Sequence, residues 1–159
     1  MAAKTLVACF SATGVTAKVA ERLARAAGAD LAAIEPAVPY TSADLDWTDE
    51  NSRSTLEMRD PSSRPALASR PDVSRYGAVL IGFPIWWYTA PAIIRTYLEA
   101  ADFTDKSIAL FATSGSSPMG EAMSDLAGLA PDAWWLGARR FDAAVTEGEL
   151  VEWLRELEL

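Results

Sequence analysis

The chain contains no histidine and a single cysteine, Cys9. The first absence removes Ser-His-Asp triads and imidazole metal sites together, and the second removes any internal disulfide. Basic residues are also scarce: 14 Lys and Arg stand against 22 Asp and Glu, a net charge of −8. That balance argues against a nucleic-acid or anionic-membrane partner, because phosphate backbones are held mainly by Lys and Arg. An acidic surface suits either a basic protein partner or plain solubility. No run approaches the ~20 apolar residues of a membrane span. Leu6-Val7-Ala8-Cys9 has the look of a lipoprotein cleavage box, but five residues precede it, too few for the apolar region of a signal peptide. A cytoplasmic protein is expected. No Asp/Glu cluster has the spacing of a metal loop, so any difficult chemistry belongs to a bound cofactor.

What is present begins with residues 10–16, Phe-Ser-Ala-Thr-Gly-Val-Thr, which leave an apolar run at 4–10 and open an amphipathic one ending near Ala27. The first turn of a helix has N–H groups without partners, and the peptide dipoles add partial positive charge there. A phosphate placed at that end meets donors and a favourable field. Ser11, Thr13 and Thr16 add hydroxyls, and Gly14 lets the backbone approach a ligand closely. Two other phosphate loops are excluded, since neither G-x-x-x-x-G-K-[ST] nor G-x-G-x-x-G is present. The loop therefore suits a single terminal phosphate. Ser11 and Thr13 would serve equally as plain caps of the helix.

Taken in order, residues 4–10 read as a strand covered on both faces. Cys9 lies within it as a small hydrophobe, since an anion loop around a catalytic cysteine would need an arginine where Val15 stands. Residues 14–27 place Val15, Val19, Leu23 and Ala26 at helical spacing, and Gly28 closes the helix. Residues 29–35 predict an edge strand. The stretch 36–76 is rich in Pro, Ser, Asp and Arg; a helix is expected at 48–59 with Thr48 as its cap, the rest as ordered loop. On that helix Arg53, Glu57 and Arg59 either reach the edge of a bound ligand or form an ordinary solvated face, and the solvated face is expected.

Residues 77–83 form the strongest strand signal and run into Pro84-Ile85-Trp86-Trp87-Tyr88, then into a helix with Ile94, Tyr97, Leu98 and Ala101 inward. Residues 107–112 repeat the pattern, followed by Thr113-Ser114-Gly115-Ser116-Ser117 and a helix from Pro118 to about 129. A last strand is expected at 133–136. Thr146 and Glu149 make a capping box that opens a final helix with Leu150, Leu154 and Leu157 inward.

Strands alternating with helices predict one α/β domain over 1–159: a parallel sheet with helices on both faces and right-handed crossovers. Ligands of such sheets bind beyond the carboxyl ends of the strands, where strand order reverses. Loops 10–16, 84–91 and 113–120 all fall there. They offer a phosphate seat, a set of aromatic faces and a hydroxyl-rich collar, which match a ligand with a phosphate at one end and a flat, polar-edged ring at the other. Flavin mononucleotide (FMN) fits that description.

With these loops in this order, the chain resembles flavodoxin over essentially its whole length, most closely the relatives with a G-x-P-I-W-W loop, here Gly82 to Trp87. The resemblance implies a three-layer, doubly wound fold with a five-stranded parallel sheet of order 2-1-3-4-5 and a non-covalent FMN. It assigns Ser11, Ala12, Thr13, Gly14, Val15 and Thr16 to the phosphate. Pro84, Ile85, Trp86, Trp87 and Tyr88 would pass beside the isoalloxazine, with Thr113, Ser114 and Gly115 near its pyrimidine edge. The alternative for Trp86 and Trp87 is core filling, yet two adjacent tryptophans at a strand-to-helix turn do not both point inward easily. No glycine lies between Ile85 and Ala90 to let a peptide flip cheaply, which leaves one- against two-electron behaviour open.

Three functions follow as expectations. The first is a monomeric FMN electron carrier whose acidic surface meets basic patches on redox partner proteins. The second is an FMN-dependent NAD(P)H:quinone or related oxidoreductase, with residues 36–76 as a substrate lid. The third is a flavin-free, protein-binding domain on the same scaffold.

Overall fold

The computed structural model describes residues 4–114 and 117–159. Its elements are β1 (Lys4–Cys9), α1 (Val15–Ala27), β2 (Asp30–Ala33), β3 (Glu35–Pro36), α2 (Arg53–Arg59), β4 (Leu67–Ser69), β5 (Tyr76–Pro84), α3 (Ala92–Ala100), β6 (Ser107–Thr113), α4 (Ala122–Ala127), β7 (Trp134–Phe141) and α5 (Glu147–Glu156). The main sheet has order β2-β1-β5-β6-β7 and every pairing in it is parallel. Counting only its five strands, this is the 2-1-3-4-5 order that the resemblance to flavodoxin implies. The order reverses between β1 and β5.

Period-two alternation sorts the side chains of the central strands. Leu6, Ala8, Val79, Ile81, Phe83, Ile108 and Leu110 turn to one face and are covered by Ile93, Ile94, Tyr97 and Leu98 of α3 and Leu126 of α4. Val7, Cys9, Leu80, Ala109 and Phe111 turn to the other, against Val19 and Leu23 of α1 and Leu150, Trp153 and Leu154 of α5. Because both faces are covered, β1, β5 and β6 read as continuous apolar runs. Gly82 serves this packing: a Cβ there would stand 2.1 Å from the Phe111 ring.

Several boundaries differ from expectation. The helix expected at 48–59 begins only at Arg53, with Ser52 rather than Thr48 as its cap. Upstream, Asp44, Asp46 and Asp49 each accept a local backbone N–H, a turn chemistry that competes with helix. Pro118 does not open a helix; α4 starts at Ala122. The last strand is twice the expected length. As the sheet's edge it pairs on one side only, and its exposed positions, including Arg139, hide its apolar alternation. Ala101 is the C-cap of α3, and Leu157 is half-buried at the end of α5. The expected capping box is present, with Thr146 Oγ1 accepting from Glu149 N and the Glu149 carboxylate accepting from Thr146 N. The 36–76 stretch is closed at its base by an antiparallel β3–β4 ladder absent from the sequence reading. Among the described residues no helix is long and apolar enough to cross a membrane.

Candidate functional site

Three loops leave the carboxyl ends of β1, β5 and β6 on one edge of the sheet. In the first, Gly14 takes a left-handed conformation (φ 94°) and caps α1. The Ser11 hydroxyl accepts from Gly14 N and Ala17 N, both at 3.1 Å, so Ser11 does act as a helix cap. Among the described residues, the N–H groups of Ala12, Thr13, Val15 and Thr16 have no acceptor. Thr13 is exposed beside them. Four open donors at the start of a 13-residue helix are the donor set an anion requires. Thr16 is buried and its hydroxyl meets that of Thr113 at 2.7 Å, so a hydroxyl pair ties the first loop to the third.

The second loop is a tight hairpin. Trp86 and Thr89 exchange both backbone hydrogen bonds, at 3.0 and 3.1 Å. Trp87 (φ 49°) and Tyr88 (φ 63°) occupy its centre, both left-handed, the pattern of a type I′ turn, which ordinarily takes Asn or Gly. Such positions cost a non-glycine residue about 1–3 kcal/mol each, and the surroundings enforce them. Thr89 Oγ1 donates to Asp125 at 2.6 Å. Gly120 (φ 62°) packs so closely that a Cβ would lie 2.2 Å from the Tyr88 carbonyl oxygen. The two tryptophans divide: Trp86 is half-buried and meets Phe10 and Tyr40 edge-on, while Trp87 is 43 % and Tyr88 63 % exposed. Pro84 ends β5, and Ile85 N donates to Thr113 O at 3.0 Å.

In the third loop Arg140 of β7 grips Ser114, donating from Nε to Oγ at 2.8 Å and from an Nη to the carbonyl at 2.9 Å. Ser114 in turn donates to Ser117 O. Gly115 lies outside the described residues.

The 36–76 excursion reaches back to this edge. Tyr40 completes an edge-to-face triangle with Phe10 and Trp86, with centroid separations of 5.4–5.7 Å. Its hydroxyl donates to Glu57, and the Arg53 guanidinium stands 3.8 Å over its ring. Burial, reinforced by the Glu57 carboxylate, holds the Tyr40 phenol well above its ordinary range. Arg53 also bonds Glu57 at 3.0 Å and Val38 O at 2.7 Å. The expectation of a solvated 53/57/59 face therefore holds only for Arg59, which is exposed. Between the excursion and the aromatic turn lies a cavity of about 500 Å³, walled by Leu45 and Trp47 on one side and Trp86, Trp87 and Tyr88 on the other. It lies within the size range of small-molecule sites.

The profile of the family described as flavodoxin matches residues 4–157. The chain belongs to the flavodoxin family. This flavodoxin-family chain is 45 % identical to a candidate flavoprotein of Bacteroides eggerthii solved by crystallography, over 98 % of both chains, with a TM-score of 0.93. It is 44 % identical to another from Bacteroides uniformis, covering 98 % and 99 % of the chains, with a TM-score of 0.91. A flavoprotein of Lactobacillus acidophilus, crystallised in complex with FMN, shares the fold at 22 % identity, over 87 % and 93 % of the chains, with a TM-score of 0.67. No curated protein matches the chain.

Nothing in the sequence singles out Gly120, Arg140 or Ser54 as parts of this edge, whereas Arg53 and Glu57 reach it through Tyr40, the alternative the sequence left open against a solvated face. The one available signal was the four-residue spacing of Arg53 and Glu57. Nothing local marks Gly120 or Arg140, which act across the fold.

Proposed function

We propose that the chain is an FMN-binding redox protein of flavodoxin type that carries electrons between partner proteins presenting basic patches. The observation that carries the FMN reading is the group of four open N–H donors at the head of α1, on the same sheet edge as the strained aromatic turn. Ser11, Ala12, Thr13, Gly14, Val15 and Thr16 would hold the phosphate, the open N–H groups supplying hydrogen bonds and the helix field supplying charge complementarity. Pro84, Ile85, Trp86, Trp87 and Tyr88 would lie along the ring, with Thr113, Ser114 and Gly115 toward its pyrimidine edge and Arg140 fixing the Ser114 backbone. When bound, the flavin supplies the electron-accepting ring; the protein orients it and sets its surroundings. The exposure of Trp87 and Tyr88 supports transfer to a docked protein, and the net charge of −8 supports a basic partner.

A second reading, an FMN-dependent oxidoreductase of small molecules drawing on NAD(P)H, is favoured by the cavity roofed by Leu45 and Trp47. Both readings are tested by reconstituting the purified protein with FMN, removing excess by gel filtration and reducing it stepwise with dithionite under anaerobic conditions. A separate long-wavelength species midway supports the one-electron carrier. Direct passage to the reduced spectrum, together with steady consumption of NADH or NADPH, supports the oxidoreductase. Failure to retain FMN overturns both and leaves a protein-binding domain.

A further inference from the structure

The three loops of the site contain no lysine or arginine. Residues 10–16, 84–91 and 113–120 bring hydroxyls, backbone N–H groups and aromatic faces, so a full positive charge can reach this edge only from elsewhere in the fold. It comes from the edge strand. β7 carries two arginines in succession, and strand alternation sends them to opposite faces. Arg139 stands 5.4 Å over the Phe141 ring and 3.9 Å from Glu156 of α5. Arg140 crosses to the other face, is half-buried, and holds Ser114 by its hydroxyl and its carbonyl at 2.8 and 2.9 Å. Among the described residues it is the one basic side chain hydrogen-bonded to any of the three loops. Arg53, the guanidinium over Tyr40, is engaged by Glu57 and the Val38 carbonyl. Ser114 is also a junction. It follows Thr113, whose hydroxyl meets Thr16 of the first loop at 2.7 Å and whose carbonyl accepts from Ile85 N of the second at 3.0 Å. The Arg140 fork therefore fixes the segment on which both other loops lean, and it leaves there a charge that no accessible pH removes.

We infer that Arg140 sets the redox potential of the bound flavin, by favouring the reduced, negatively charged ring over the oxidised, neutral one. The inference rests on the FMN reading and goes beyond it. A hydroxyl-rich collar suits the polar pyrimidine edge of the ring rather than its hydrocarbon edge. Uptake of two electrons from a reductant and one proton from water leaves one negative charge, concentrated at that same edge. Coulomb attraction falls with distance, and exposed charges are screened beyond about 8–10 Å. A half-buried cation bonded to this loop therefore acts on the ring more strongly than the scattered surface carboxylates behind the net charge of −8. Asp125, tied to the aromatic turn through Thr89, is itself exposed and screened. Arg140 is thus a positioning residue for Ser114 and, through its charge, the group that biases the flavin toward reduction.

The test uses the full chain loaded with FMN and compares the wild type with Arg140→Gln and Arg140→Lys. Fluorescence titration gives the dissociation constant of oxidised FMN. Anaerobic dithionite titration against an indicator dye at neutral pH gives the two-electron midpoint potential, and the two together give the constant for reduced FMN. Arg140→Gln removes the charge and keeps a donor for Ser114. It should weaken reduced FMN at least tenfold more than oxidised FMN, a fall in potential of about 30 mV or more. Arg140→Lys keeps the charge and loses the fork. It should weaken both states while holding their ratio within about twofold of the wild type. A residue that only braced Ser114 would act on both states equally, so an unchanged potential in Arg140→Gln overturns the inference. An Arg140→Lys potential as low as that of Arg140→Gln overturns it as well. The wild type gives a reading that needs no variant to fold: the Arg140 Nε–H resonance should move when bound FMN is reduced, and an unmoved resonance counts against the inference. A wild-type protein that does not retain FMN defeats the cofactor reading and this assignment with it, whereas retention with an unchanged potential in Arg140→Gln defeats this assignment alone.

Discussion

Gly120 and Tyr88 meet backbone to backbone: both are left-handed, at φ 62° and 63°, and a Cβ on Gly120 would stand 2.2 Å from the Tyr88 carbonyl oxygen. The approach of α4's leading segment therefore holds the aromatic turn in place. Gly120→Ala cannot be absorbed by a side-chain shift, because the obstacle is backbone. It should destabilise the protein by about 1–3 kcal/mol and weaken FMN about tenfold or more through displacement of the turn, tenfold being about 1.4 kcal/mol. Gly128→Ala is the control: with an ordinary helical φ and open space around its Cα, it should be neutral or stabilising by up to about 1 kcal/mol. Denaturant melts and flavin fluorescence titrations read both. Equal effects at the two glycines would show that the contact with Tyr88 does not constrain the turn.

Tyr88→Gly separates strain from binding. Glycine adopts φ near +60° without a Cβ penalty, and Tyr88 is 63 % exposed, so little packing is lost. The flavin-free protein should gain stability, with Tm rising about 2–4 °C for each kcal/mol of strain released in a chain of this size. Affinity for FMN should fall, because an aromatic contact is removed. Thermal melts with and without FMN give the two signs. A lower Tm in the flavin-free variant would mean that the tyrosine ring supports the turn more than its backbone strains it.

How much of this was legible depended on whether a signal was local. β1, β5 and β6 are continuous apolar runs because helices cover both faces, so a parallel sheet covered on both sides is legible from residues alone, whereas its strand order came only from the resemblance to flavodoxin. The three loops at one edge follow from the alternation of strands and helices, which brings the carboxyl ends of parallel strands to the same side. The start of α2 was misplaced because Asp44, Asp46 and Asp49 fold the preceding residues into successive capped turns, which a helix-spacing argument does not register. The turn's conformation was hidden for a different reason. Trp87 and Tyr88 are residues that local rules keep out of left-handed positions, and what forces them there lies across the fold at Thr89–Asp125 and Gly120. The docking of Tyr40 on Trp86 is likewise a contact across 46 positions of sequence.

The buried pair Thr16–Thr113 predicts a strongly non-additive mutant cycle. Thr16→Val alone strands the Thr113 hydroxyl in the core, and Thr113→Val strands that of Thr16; each should cost about 1–3 kcal/mol. Replacing both with valine removes the stranded partner and should come close to the wild type in stability. Urea unfolding of the four proteins measures the coupling. Additive losses would show that the two hydroxyls find other partners. In the double variant FMN binding should still weaken, since the proposed phosphate seat has lost a hydroxyl.

Cys9 supplies the pH prediction. The side chain packs against α1 at 6 % exposure, and burial pushes its thiol up to about 12. In the unfolded chain the thiol ionises near its ordinary value of ~8.5, so above that pH the unfolded state has lost a proton that the native state keeps. Its contribution to stability is therefore complete below the unfolded value and is lost as pH rises toward the native one. Stability should fall between about pH 9 and 12, and Cys9→Ala should flatten that slope. Part of the slope should survive, because burial also raises Tyr97, and burial with Glu57 raises Tyr40. The native thiol should react with Ellman's reagent at pH 8 only as fast as the protein opens, and in denaturant at once. Rapid modification of the native protein would place a thiolate at the end of β1, beside the anion loop, and would reopen Cys9 as a nucleophile. A slow reaction that tracks unfolding leaves Cys9 as packing beneath α1.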